Sequence, residues 1–237
     1  MTNGSGAKGS SERRKRLAIY GGTFDPVHLA HLEIARKVVR LFQIDRLLFV
    51  PAWRAPHKTG REVTAPLHRY AMLALATQDD QRLAISSFEL EAPDRRYTVD
   101  TLAHFRGKFT RTELFFVMGG DSWAEIATWH DWQRLITMAD FIVVTRPGYD
   151  LGQESAGPES VSRIIDLRDG GSVNLPPYVQ DQAPKIFFTD LLESDISASQ
   201  VRSAAREERD SDLQKLVPQG VANYIRKYKL YRKANEA

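Results

Sequence analysis

The sequence predicts an α/β protein: a doubly wound, mostly parallel sheet with a small C-terminal helical part. Three observations predict it. Short apolar runs rich in β-branched and aromatic residues recur along the chain, at residues 17–20, 45–51, 83–85, 113–118, 141–145 and 185–188. Stretches of helical periodicity separate several of them. Two of the runs end in paired glycines, Gly21-Gly22 and Gly119-Gly120, as strand-to-helix turns often do.

Residues 17–20 form the first predicted strand. After its glycine turn, Leu32, Ala35, Val39 and Phe42 recur at helical spacing. Asp25 and Pro26 suit the cap and first turn of that helix. Its N-terminus would offer unpaired N–H groups and a partial positive charge, a setting that favours a phosphate. His28 and His31, three apart, share a face there. The run at 45–51 closes a βαβ unit and leads into Arg54, His57 and Lys58. In open α/β sheets ligands sit beyond the carboxyl ends of the strands, so these cations share a rim with Gly21 and His28.

Residues 66–77 read as a helix with Met72, Leu73, Leu75 and Ala76 on its apolar side, followed by a short strand at 83–85. Residues 94–102 read as a loop entering a helix, with Thr98 or Asp100 near its cap. The continuous apolar run at 113–118 suits a strand buried on both faces. Asp121 follows its glycine turn, where an acidic residue meets a ribose or a cap site. Trp129, His130 and Trp132 read as helical, and an aromatic face there suits a planar heterocycle. Residues 150–184 read as an irregular excursion from the sheet. The C-terminal helical part begins near residue 195, where Ser197 and Ser199 suit a helix start and Arg202 lies on a neighbouring part of the same face. A last amphipathic helix spans 221–228, and Leu230 and Tyr231 pack back on the body.

Composition narrows the function classes. At 237 residues the chain suits one well-buried domain. No apolar run approaches the roughly 20 residues that span a bilayer. With no cysteine there is no disulfide framework and no thiol chemistry. The net charge of +3 is uneven: residues 1–16 hold Lys8, Arg13, Arg14, Lys15 and Arg16 against Glu12, which is +4 and leaves the remainder at −1. Residues 1–16 therefore read as a disordered basic leader and residues 17–237 as the domain. That body has no charge bias toward nucleic acid. Neither the Walker pattern nor the dinucleotide fingerprint is present, and the histidine spacing does not match the zinc-protease helix.

The opening stretch resembles the signature of the nucleotidyltransferase superfamily, with Ala30 where its His-x-Gly-His has glycine. Ile196, Ser197, Ser199 and Arg202 are similar to the closing motif Ile-Ser-x-Thr-x-x-Arg, with serine in place of threonine. Residues 56–58, 96–102, Gly119 with Asp121, Trp129, residues 146–149 and the terminal pattern from Leu216 to Tyr231 look like the bacterial nicotinate-nucleotide adenylyltransferases. The likeness covers residues 17–149 and 185–231.

The resemblance implies a Rossmann-like nucleotidyltransferase fold and the transfer of AMP from ATP to nicotinate mononucleotide. The products are nicotinate adenine dinucleotide and pyrophosphate, in NAD biosynthesis. The nucleophile is a phosphate oxygen, already anionic at neutral pH, so direct in-line attack needs no general base and no covalent intermediate. The resemblance further implies His28, His31 and Arg202 as catalytic residues. Gly21, Gly22, Thr23, Phe24, Gly119, Asp121, Ile196, Ser197 and Ser199 would bind ATP. His57, Lys58, Tyr97, Thr98, Trp129 and His130 would bind the acceptor. Mg²⁺ would be held by ATP phosphates and water, with no direct protein ligand. The alternative is a related adenylyl- or cytidylyltransferase acting on nicotinamide mononucleotide or phosphopantetheine. Expected partners are the two small-molecule substrates, with no nucleic acid and no membrane. A cytoplasmic location is expected, and a homo-oligomer is left open.

Overall fold

The computed structural model describes residues 13–53, 63–91, 97–148, 157–171 and 182–232. Its frame is one seven-stranded parallel sheet. The strands are β1 (Lys15–Gly22), β2 (Arg46–Pro51), β3 (Leu83–Ile85), β4 (Thr112–Gly119), β5 (Asp140–Val144), β6 (Ile164–Asp166) and β7 (Ile186–Thr189). Their spatial order is β3-β2-β1-β4-β5-β7-β6, every pairing parallel. The first βαβ steps run one way from β1 and the later ones run the other way from β4. The crevice between the carboxyl ends of β1 and β4 is therefore the topological switch point.

Alternation along the strands builds two cores. Ala18, Tyr20, Phe115 and Val117 face one side, Leu17, Ile19, Phe116 and Met118 the other. Helices α1 (Leu29–Leu41) and α2 (Pro66–Thr77) cover the first face. So do the C-terminal helices, numbered α7 to α9 in chain order: α7 (Ala198–Arg206), α8 (Asp210–Leu216) and α9 (Gln219–Lys227). Phe42 closes this core at the far end of α1, ring to ring with Phe115 and Phe187 at 6.0 and 5.1 Å. The second face is covered by α3 (Thr98–Lys108), α4 (Gly120–Ala124) and α5 (Trp132–Leu135), with Trp123 fully buried. Among the described residues no helix is long and apolar enough to cross a membrane.

Four expectations need correction. The first strand starts at Lys15, so the basic leader does not run to residue 16. Arg16 is buried, its Nε donates to Glu113 Oε2 at 2.7 Å, and its Nη1 donates to the Phe42 carbonyl. Arg13 pairs with Asp45. These cations read as a tail because charge runs usually stay solvated, yet ladder pairing with β4 draws Lys15 and Arg16 into the sheet. The excursion at 150–184 is not wholly irregular: Ile164 and Ile165 form edge strand β6 after a short helix, α6 (Pro158–Val161). Residues 149–156 and 172–181 lie outside the described residues.

Trp129 is not helical. It follows a single 3₁₀ turn (Ile126–Thr128) in extended backbone, and Asp131 has φ 50° before α5 begins. Asp25 is not the cap of α1, because its carboxylate is buried toward the body and His28 takes the cap position.

Replacing Glu113 by alanine leaves the buried Arg16 Nε without the carboxylate it donates to. Urea unfolding should then show a loss of about 3 kcal/mol, as expected for breaking a buried pair. A loss under about 1 kcal/mol would mean the pair behaves as a solvent-screened one.

Candidate active site

A cavity of about 520 Å³ opens at the switch point. Its floor is the turn from β1 into α1. Gly21, Gly22, Thr23, Phe24, His28, Ala30 and His31 all line it. Glycine is required at Gly22, where a Cβ would meet the Phe24 ring at 2.9 Å. That ring is core: Phe24 packs against Tyr20, Phe49 and His31 at centroid distances of 5.5, 5.4 and 5.1 Å. Holding it there puts the Phe24 backbone in the left-handed region, φ 48°. The side chain therefore anchors the turn.

His28 and His31 stack, centroids 3.8 Å apart. His31 Nδ1 accepts a bond from the His28 backbone N–H at 3.3 Å, half of a capping arrangement at the start of α1. In the neutral ring the proton then sits on Nε2, which makes that atom a donor. His28 is buried and its Nδ1 has no hydrogen-bond partner. Burial, reinforced by the nearby Arg202 charge, pulls its pKa down to about 4. His28 is therefore neutral at physiological pH. Ala30 is buried on the helix side of the cavity.

The second wall comes from the end of β4. Gly119 and Asp121 line the cavity, and the Asp121 carboxylate folds back to accept from the Ser122 N–H at 2.8 Å. A Cβ at position 119 would stand 2.5 Å from Asp121 Oδ1, so only glycine permits this fold-back. The third wall holds Thr98, at the first position of α3, and Trp129. Tyr97 and His130 do not line the cavity. They stack on each other, centroids 4.1 Å apart.

The closing motif arrives at the cavity only through Ile196. Ser197 caps α7, its hydroxyl 2.9 Å from that of Ser199, and its backbone N–H donates to Gln200 Oε1 at 2.7 Å. Ser197, Ser199 and Arg202 are not among the residues that line the cavity. The cap bonds engage the serine hydroxyls, and Arg202, just over a turn into the helix, donates from Nη1 to the Asp25 carbonyl at 2.7 Å. His57 and Lys58 lie outside the described residues.

Sequence reasoning missed Glu89, Thr101, Ser122 and Glu125, all of which line the cavity. Thr101 Oγ1 donates to Glu89 Oε1 at 2.7 Å. Thr101 stands three residues after Thr98, and Glu125 four after Asp121, so helical spacing was a usable signal for both. Glu89 had none, because the chain reversal after β3 places it. Arg69 was also missed. It is fully buried on α2 and binds four backbone carbonyls, two of them from Thr23 and Ala52, which line the cavity.

The depressed His28 pKa has a stability consequence. Between about pH 6.5 and pH 4 the unfolded chain takes up a proton that the folded chain does not. Stability therefore falls as pH drops through that window, and this group causes no further loss below it. The effect amounts to up to roughly 3 kcal/mol. Replacing His28 by asparagine should flatten the slope in denaturant titrations across the window. An unchanged slope would mean that His28 titrates normally in the fold.

The chain matches the cytidylyltransferase-like family over residues 19–204. It is 37% identical over 222 residues to a probable nicotinate-nucleotide adenylyltransferase of Corynebacterium kroppenstedtii, covering 94% of this chain and 93% of that one. A protein of the same name from Thermoanaerobacter sp. is 35% identical over 226 residues, covering 95% and 98%. Among solved structures, the nicotinic acid mononucleotide adenylyltransferase of Plasmodium falciparum complexed with NaAD has a TM-score of 0.68 at 21% identity, covering 92% of this chain and 97% of that one. That likeness is one of fold. The sequence relatives and the glycine turn with its histidine pair lead to one conclusion: the chain belongs to the cytidylyltransferase-like family and, within it, to the nicotinate-nucleotide adenylyltransferases.

Proposed function

We infer that this cavity is where AMP passes from ATP to nicotinate mononucleotide, giving nicotinate adenine dinucleotide and pyrophosphate in NAD biosynthesis. The observation that carries the reading is the turn beneath the cavity. The N-terminus of α1 and two stacked, neutral-capable imidazoles face a space large enough for nucleotides. Backbone N–H groups and imidazole donors suit polyanions, and no nucleophilic side chain is needed.

In this reading the backbone of Gly21 to Phe24 cradles the bridging phosphates. His31 donates from Nε2, and His28 donates from its ring while remaining uncharged. Both donors act most as negative charge moves onto the departing pyrophosphate. Gly119 and Asp121 lie against the adenosine. Thr98 and Trp129 form the nicotinate pocket, with Tyr97 and His130 as the stacked support behind it. Ile196 borders the phosphate end. Ser197 and Ser199 hold α7 so that its N-terminus faces the β and γ phosphates, and Arg202 adds positive charge from its place on Asp25. His57 and Lys58 are assigned to the mononucleotide phosphate.

Mg²⁺ enters with the nucleotide. Among the described residues no three His, Asp or Glu side chains gather into a metal site. An ion that keeps its waters and binds substrate phosphates needs no such cage. Asp121 and Glu125, carboxylates on the cavity wall, would accept hydrogen bonds from its waters. When bound, the ion neutralises charge on the leaving pyrophosphate. A cytoplasmic location fits a chain that consumes ATP and a free mononucleotide.

Pyrophosphate release with ATP and Mg²⁺ tests this reading when nicotinate mononucleotide, nicotinamide mononucleotide and phosphopantetheine are compared. The acid acceptor should give the highest kcat/KM, by about 100-fold or more over the amide, as a pocket built for a carboxylate discriminates. Preference for the amide would keep the chemistry and overturn the pocket. Preference for phosphopantetheine would overturn the acceptor class.

A further inference from the structure

Arg69 occupies a position on α2 that the helix's apolar stripe would give to a hydrophobic residue, in phase with Met72, Leu73 and Ala76. It is wholly buried. Its Nε donates to the Thr64 carbonyl at 2.9 Å and its Nη1 to the Thr23 carbonyl at 2.7 Å. Its Nη2 donates to the Ala52 and Trp53 carbonyls at 2.7 and 3.3 Å. All four acceptors are neutral backbone groups, drawn from three separate segments of the chain.

Two of those segments are walls of the cavity, which both Thr23 and Ala52 line. The first is the glycine turn after β1. The second is the loop after β2. The last backbone bond between them runs from the Ala52 N–H to the Gly22 carbonyl at 2.9 Å. The guanidinium fork spans the next carbonyls, those of Thr23 and Ala52. A planar group with donors in fixed directions can hold several carbonyls at a set separation, which a flexible ammonium cannot.

Burying this cation carries a desolvation cost that the nearby Asp25 and Glu89 carboxylates offset only in part. Its hydrogen bonds nevertheless go to backbone carbonyls of three segments and not to those carboxylates, which points to a spanning role beside the electrostatic one. We propose that Arg69 is a positioning residue for adenylyl transfer: it sets the glycine turn against the loop after β2, and so sets the two substrates in line with each other. It touches neither substrate. The proposal rests on the reading of the cavity given above, with ATP phosphates at the glycine turn and the acceptor toward the loop after β2.

The consequence is a particular kinetic split. Each wall stays intact without the fork, so each substrate still binds, and the loss falls on their relative alignment. Arg69→Lys and Arg69→Gln keep hydrogen-bond donors and lose the span. In both, kcat should fall by about 30-fold or more while each KM stays within about threefold, as misalignment predicts. Calorimetry supplies a second readout. Nicotinate adenine dinucleotide, which spans both walls, should bind about tenfold weaker, while ATP alone changes by less than about threefold.

Folded variants with near-wild-type kcat would overturn the proposal, as would a loss confined to KM. If neither variant folds under the assay conditions, Arg69 is a stability residue and the proposal is equally overturned. The wild-type chain in the same assay separates the two claims. No pyrophosphate release from wild type with nicotinate mononucleotide overturns the reading of the cavity. An active wild type with unaffected variants overturns the clamp alone.

Discussion

Asp25 is where distant parts of the chain are tied to the floor of the cavity. Its carboxylate is buried in the turn between β1 and α1. A buried carboxylate is costly unless hydrogen-bond donors reach it. One comes from the far end of the sequence: the Tyr231 hydroxyl donates to Asp25 Oδ1 at 3.0 Å. Burial, and then the Asp25 charge, push the Tyr231 phenol well above its usual range, so it stays protonated and remains a donor. The Asp25 carbonyl takes Arg202 from α7. The C-terminal helices are thus tied to the glycine turn as well as packed on the sheet. That is why the closing motif, more than 160 residues after the opening one, ends beside the same cavity.

The sheet supplies the other half of the arrangement. Parallel strands end together, so the loops after β1, β2 and β4 meet on one rim. The direction of chain progress reverses between β1 and β4, and this leaves the crevice that no crossover helix covers. Charges at the opposite, amino-terminal edge have a different task. Arg16, Glu113 and Asp140 gather there. Asp140 accepts from the Lys185 N–H at 2.7 Å, and burial raises its pKa. These groups hold strand ends in register and face away from the chemistry.

Much of this was legible in the sequence because the period of the apolar pattern reports which face is buried. α2 was read with its observed bounds, and β4 to within a residue at each end, since Phe115 to Met118 is apolar on both faces of the sheet. The glycine turns, the histidine pair and Asp121 were placed at the cavity from local patterns, and Thr98, Trp129 and Ile196 through the family resemblance. What was not legible depends on contacts across the fold. Asp25 looked like a helix cap because nothing local shows Tyr231 or Arg202 arriving. Arg16 looked like part of a tail because Glu113, its partner, is 97 residues away. Arg69 left one trace, a cation in phase with an apolar stripe. Arg202 and the two serines were expected at the cavity, yet the capping bonds of α7 and the Asp25 carbonyl hold them just outside it.

The central claim is that the chain lends no nucleophile to the reaction and works by holding two nucleotides in line. The stereochemistry at phosphorus tests this most directly. ATP carrying sulfur at the α-phosphorus in one configuration would be turned over with nicotinate mononucleotide, and the configuration of the product determined. A single in-line displacement predicts inversion. Retention would require two displacements and an adenylylated side chain, and would contradict the account.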